Sequence, residues 1–238
     1  MRCDLHCHTC YSQDSTALPE EMVEAALKKG INCLAISDHG EIKGARKAIE
    51  YAKDKPILII PGIEIKSKEG DVLGLNVKEI IPNKLSAEET IKKIKELGGL
   101  AIIPHPFGWL CSFKGDIEEI AEEIDGIEVF NASIFGLGNK KALDFAQKFN
   151  LPFTAGSDAH FPNFVGQVFL EIPGENLSFK EAIASSLASA KASAIEEILN
   201  QIKNKNVKIG GREANFFEKI IDHTKRNFAK LKMFKLRG

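Results

Sequence analysis

Short apolar runs recur along the chain, with amphipathic segments between most of them: RCDLHCH, NCLAIS, ILIIPGIEI, DVLGLNV, GLAIIP, GIEVF, LPFTAG and QVFLEI. Strand-like runs that alternate with helical patterns predict an α/β fold with a mostly parallel sheet, closed or open. The helical patterns carry their own boundaries. PEEMVEAALKKG places Pro19 at the first helical position, two acids in the first turn and Gly30 as a stop. KGARKAIEYAKDK, SAEETIKKIKELGG and GNKKALDFAQKFN follow the same plan, the second opening with a Ser86–Glu89 capping box. At 238 residues, 44% of them hydrophobic, the chain has enough apolar surface to bury the core of one barrel or layered domain.

The last sixty residues follow another pattern. SFKEAIASSLASAKASAIEEILNQIKNK places Phe179, Ile183, Leu187, Ile195, Ile198 and Ile202 near one helical face. A second helical pattern runs through Phe216, Ile220, Phe228 and Leu231 and ends in basic TKRNFAKLKMFKLRG. Residues 176–238 are therefore expected to form C-terminal helices that close the domain or pair two subunits; a basic amphipathic end also suits nucleic acid or a membrane surface. The overall formal charge of −1 gives no global reason to expect nucleic acid as partner. No apolar run approaches the roughly 18 residues a membrane span needs, and no leader pattern opens the sequence. Five cysteines without a disulfide-scaffold pattern fit a reducing, cytoplasmic setting.

Near the start, DLHCHTC interleaves two histidines with two cysteines. Side chains alternate faces along a strand, so His6 and His8 point the same way about 6.6 Å apart, and Cys7 points to the opposite face. A zinc site built on Cys7 and Cys10 needs a second close pair, yet Cys33 and Cys111 are isolated. Buried cysteine acting as a small hydrophobe is the simpler expectation. The histidines do have partners: Asp38-His39-Gly40, Glu64, His105-Pro106 and Asp158-Ala159-His160 all stand at or near ends of strand-like runs, and only His223 lies elsewhere. In a parallel barrel such ends share one rim, where dispersed residues converge.

DLHCHT, SDHG, PGIE, IPHP and GSDAH, in that order, resemble the PHP (polymerase and histidinol phosphatase) family of metal-dependent phosphoesterases over roughly residues 1–175. The resemblance implies a distorted (β/α)7 TIM-like barrel followed by the C-terminal helices, with two to three divalent ions (Zn, Mn or Fe) in its cleft. It gives His6, His8, Glu64 and Asp158 to a first ion. Glu64 bridges to a second, bound also by His105, and His39 and His160 hold a third with Asp14. Two positions depart from the pattern. Asp14 stands one residue farther from the paired histidines than the acid of many relatives, and Asp71 replaces a histidine that many relatives use on the second ion. Asp71 is expected as a ligand or as a turn residue at a strand entrance. Glu64 and Asp38 are the expected catalytic carboxylates, Asp38 by orienting a ligand histidine. Asn131, at the end of EVFN, is expected to bond substrate or to cap a turn. Arg46 and Arg212 are the candidate phosphate grips among few arginines.

The implied activity is hydrolysis of a small phosphomonoester, nucleotide-like or an amino-alcohol or sugar phosphate, by a metal-bound hydroxide. The alternatives are a 5′-end exonuclease or phosphodiesterase on short oligonucleotides, and a non-catalytic RNA- or protein-binding subunit.

Overall fold

The structure, a computed structural model, describes residues 1–109, 111–135, 137–172, 188–205 and 207–211, the side chains of 188–193 excepted. One mixed sheet holds β1 (Arg2–Asp4), β2 (Cys33–Ile36), β3 (Leu58–Lys66), β4 (Asp71–Leu75), β5 (Leu100–Ile103), β6 (Gly126–Asn131), β7 (Phe153–Gly156), β8 (Val168–Glu171) and β9 (Lys208–Gly211). Their order across the sheet is β7-β6-β5-β4-β3-β2-β1-β8-β9. Pairing is parallel from β1 to β3 and from β5 to β7. It is antiparallel on both sides of β4 and on both sides of β8. The reversal at β4 has a local cause: only residues 67–70 separate β3 from β4, too few for a crossover.

The sheet nearly closes on itself. Beyond β1 the chain stays extended and meets the end of β7, where Asp158 N donates to His6 O (2.8 Å) and His8 N donates to Ala159 O (2.9 Å). The result is a distorted, nearly closed α/β barrel, with its seam beside the paired histidines.

Helices α1 (Pro19–Lys28), α2 (Lys43–Tyr51), α3 (Ala87–Glu96), α4 (Gly138–Lys148) and α5 (Ala188–Lys203) pack on the sheet. Pro19 opens α1 as the sequence predicts, and at α3 Glu89 N donates to Ser86 Oγ (3.1 Å) while Ser86 N donates to Glu89 Oε2 (2.9 Å). Strand β2 is buried on both faces. Cys33 and Ala35 join the main core, whereas Leu34 and Ile36 pack with Met22, Val23 and Ala26 of α1 and Ala45 and Ala48 of α2. Burying such a leucine or isoleucine is worth about 1.5–3 kcal/mol, so these faces pin the strand register beneath the site.

Of the expected C-terminal helical face, Ile195, Ile198 and Ile202 lie in the main core. Phe179, Ile183, Leu187, Arg212, the second helical pattern and the basic end lie outside the described residues. The segment NVKIGG contributes a strand, β9, that the apolar runs did not announce. No helix among the described residues is long and apolar enough to cross a membrane.

Candidate metal centre

The extended segment after β1 places His6 and His8 side by side, fully buried, with ring centroids 5.1 Å apart. Cys7 turns the other way into the core beneath α1 and α2. Glu64 comes from β3, His39 from the loop after β2, His105 from the loop after β5, and Asp158 and His160 from the loop after β7. His39 is held at Glu64 by a bridge between their backbones.

Glu64 is the hub. Its Oε2 lies 3.2 Å from His6 Nε2, 3.3 Å from His8 Nε2 and 3.2 Å from His39 Nδ1, and its Oε1 lies 3.2 Å from His105 Nε2. Asp158 Oδ1 stands 3.2 Å from His8 Nε2 and 3.8 Å from His6 Nε2. Asp14 Oδ2 is 3.2 Å from both His39 Nε2 and His160 Nε2. Three overlapping groups have ligand atoms within 4.8 Å of one another: His6, His8 and Asp158; His6, Glu64 and His105; and His8, His39 and His160. Two ligands on one ion at bonds of about 2.0–2.2 Å stand roughly 3.0–3.4 Å apart, so these spacings fit shared cations.

The hydrogen bonds on the outer sides of the rings point the same way. His6 Nδ1 donates to Glu128 Oε1 (3.1 Å), which turns Nε2 toward Glu64 Oε2 (3.2 Å). His8 Nδ1 donates to Ser12 Oγ (3.1 Å), which also accepts from His39 N (3.0 Å) and donates to Asp38 Oδ1 (2.9 Å). His160 Nδ1 donates to the Asp158 carbonyl at 2.9 Å, leaving its Nε2 for Asp14. These tautomers are assigned from the network. His8 Nε2 is buried and, despite two carboxylates within 3.3 Å, has no well-aligned hydrogen bond. A buried nitrogen facing carboxylates at a poor hydrogen-bond angle is what a bound cation would satisfy.

Burial disfavours a charged His8, yet the Asp158 and Glu64 carboxylates raise it to about 9. Burial also opposes ionisation of Glu64 and Asp158, but the imidazoles hold both below the usual carboxylate range, Glu64 far below it. The backbone is strained at the same place. His105 (φ 30°) and Asp158 (φ 53°) adopt left-handed conformations that cost non-glycine residues on the order of 1–3 kcal/mol each.

The remaining expected residues are placed differently. Asp38 does not touch the His39 ring: it accepts from Thr9 N (2.6 Å), Thr9 Oγ1 (2.8 Å) and Ser12 Oγ, so it acts on His8 and on the His39 backbone through Ser12. Asn131 is fully buried; its amide donates to Glu128 Oε2 (2.9 Å) and Asp158 Oδ2 (3.2 Å), and its Oδ1 accepts from Ser133 N. It therefore caps the turn at Ser133, one of its two expected roles, and holds Asp158 as well. Asp71 begins β4 near Glu64 and His105, whose charges it senses, but belongs to none of the three close groups among the described residues. Its carboxyl is raised by burial and then by the Glu64 charge. Arg46 is exposed and donates from Nη2 to the Lys78 carbonyl (3.0 Å), which ties α2 to the segment after β4.

Two carboxylates escaped the sequence reading. Glu128 accepts from His6, from His105 N (3.0 Å) and from Asn131. Its signal was the repeated triplet Gly-Ile-Glu at 62–64 and 126–128, an acid in an otherwise apolar strand. Asp4 accepts from Ser157 N (2.9 Å), Ser157 Oγ (2.6 Å) and Gly166 N (2.7 Å), which pins the loop bearing Asp158 to β1.

A family model described as PHP domain matches residues 4–168, and one described as PHP-associated matches residues 136–207. An uncharacterized protein of Methanocaldococcus jannaschii is 43% identical over 143 residues, 56% of this chain and 82% of that protein. A 5′-3′ exoribonuclease of Haemophilus influenzae is 36% identical over 97 residues, 39% of this chain and 35% of that enzyme. A two-domain protein from Bacteroides vulgatus containing a predicted PHP-like metal-dependent phosphoesterase superposes with a TM-score of 0.68 at 17% identity, over 90% of this chain and 65% of that one. At that identity the likeness is one of fold.

Proposed function

This chain belongs to the PHP domain family, and we propose that it is a divalent-metal-dependent phosphoesterase acting on a small phosphomonoester, nucleotide-like or an amino-alcohol or sugar phosphate. The observation that carries this reading is Glu64, whose two carboxylate oxygens lie within 3.3 Å of four imidazoles drawn from three separate segments. His6, His8, Glu64 and Asp158 would hold one ion, Glu64 and His105 a second, and His39, His160 and Asp14 a third. Divalent cations held there would offset charge gathering on phosphoryl oxygens and acidify water for attack at neutral pH.

The chain's own residues prepare that chemistry. Glu128 and Ser12 set the tautomers of His6 and His8, so the lone pairs that face the centre need no reorganisation. Asn131 and Asp4 hold the strained loop of Asp158 in place. Exposure grades across the centre: the Glu64 side chain is 2% exposed, His160 24% and Asp14 53%. A substrate phosphate therefore meets the cluster from the side of Asp14 and His160, while Glu64 stays out of water.

A second reading is 5′-end hydrolysis of short oligonucleotides, supported by the 36% identity to the Haemophilus exoribonuclease over 97 aligned residues. The test is a screen of phosphomonoesters, phosphodiesters and short RNA before and after chelation. Hydrolysis that disappears with the metal and returns with Mn²⁺ or Zn²⁺ supports the proposal; undiminished hydrolysis by rigorously metal-free protein contradicts it.

A further inference from the structure

Among the described residues two aromatic side chains are almost wholly in water: Trp109 is 91% exposed and Phe135 90%. They occupy matching positions. Trp109 lies on the loop after β5 and Phe135 on the loop after β6, and these strands are parallel neighbours. Each loop starts at a residue of the centre and turns at once, Gly108 N donating to His105 O (3.0 Å) and Ile134 N donating to Asn131 O (3.2 Å). In both loops the exposed ring is the next residue after that turn. The loops also touch, since a Cβ added to Gly108 would lie 2.7 Å from Ile134 Cδ1. Leu137, 67% exposed, extends the apolar surface.

Rings of this size normally bury most of their surface, and exposed aromatic patches mark binding sites. Four residues of chain reach at most about 14 Å, so both rings stay near the residues they follow. We infer that Trp109 and Phe135 form an aromatic clamp that stacks on the nucleobase of a nucleotide whose phosphate lies at the metal centre. The inference rests on the phosphoesterase reading and narrows its substrate to compounds with a planar base. A phosphate without an aromatic ring, such as glycerol 3-phosphate, offers no π-face to these rings. The base belongs either to a free mononucleotide or to the end of a single strand, and the experiment separates the two.

Trp109 is the chain's single tryptophan, so its fluorescence reports the clamp directly. The full chain is mixed with adenosine 5′-monophosphate, with a 5′-phosphorylated tetra-adenylate strand, or with glycerol 3-phosphate, and emission is followed within milliseconds. Phosphate release from each compound is measured in parallel. Quenching by either base-bearing compound but not by glycerol 3-phosphate supports the clamp, and the compound that quenches identifies the source. Phe135→Ala should then raise the half-saturating concentration about 5- to 150-fold, the range of one base–aromatic stack. No quenching, equal quenching by glycerol 3-phosphate, or an unaltered Phe135→Ala titration overturns it. So does sedimentation showing a wild-type dimer that becomes monomeric in W109A/F135A, because the patch would then be covered by a second copy. Metal-dependent phosphate release without a fluorescence response removes the clamp and leaves the phosphoesterase. A base-dependent response with neither phosphate nor mononucleotide released from any compound removes the phosphoesterase instead.

Discussion

Glu64 is surrounded by imidazoles, but the orientation of those rings is set one contact farther out. Glu128 touches His6, the His105 backbone and Asn131, so it couples three positions of the centre without belonging to any of its close groups. Glu128→Gln keeps the volume and removes the charge that fixes the His6 tautomer. It should weaken Zn²⁺ or Mn²⁺ binding about 10- to 100-fold, measured by competition with a chromophoric chelator; unchanged affinity would show that Glu128 serves packing alone. The titration of His8 gives a second expectation. Its protonated form is favoured in the folded, metal-free protein, where it is raised from 6.5 to about 9. That contribution to stability is complete below pH 6.5 and is lost as pH rises towards 9. Asp158 and Glu64, both lowered, contribute above the ordinary carboxylate range and lose that contribution as pH falls. Chelator-stripped protein should therefore melt at progressively lower temperature from pH 6.5 to 9. Metal-loaded protein should diverge upward from it, because metal binding displaces those protons. A stripped protein whose Tm rises over that interval would contradict the assigned surroundings of His8.

At the level of elements, the seam between β1 and β7 decides whether the centre assembles. Gly156 ends β7 there, and a Cβ at that position would fall 2.5 Å from His6 Cβ, 2.9 Å from His6 N and 3.0 Å from Glu128 Oε1. Backbone at that distance cannot step aside. Gly156→Ala should cost about 1–3 kcal/mol, lower Tm by about 2–4 °C for each kcal/mol, and reduce the metal retained through dialysis. An unchanged melting curve with full metal content would show that the seam is looser than described. Much of this level was legible in the residues. Apolar runs marked β1 to β8, and Pro19 and the Ser86–Glu89 box marked helix starts, because each signal is local. The reversal of β4 depended on how few residues separate it from β3, a length that a general β-α alternation overlooks. Strand β9 carried too many glycines to look like a strand, and only its pairing with β8 makes it one. The routes from Asp38 to His8 and from Asn131 to Asp158 were illegible because Ser12 and Asp158 are brought in by the paths of other loops.

For the whole molecule, residues from position 6 to position 160 meet on one side of a nearly closed barrel and leave carboxylates and imidazole nitrogens facing one another. A fold that gathers this many ionisable groups, several of them fully buried, gains from cations that bind only the folded state. Substrate selection, by contrast, is assigned to the exposed rings Trp109 and Phe135 on the loops after β5 and β6. The most direct measurement is elemental analysis of the purified chain and of Glu64→Ala, paired with phosphate release from a phosphomonoester. The wild-type chain should carry two to three divalent ions. Glu64→Ala should lose the greater part of them and nearly all turnover, since it removes the carboxylate that four imidazoles share. A wild-type chain that hydrolyses the ester with no bound metal, or a Glu64→Ala protein that keeps both metal and turnover, would contradict the account.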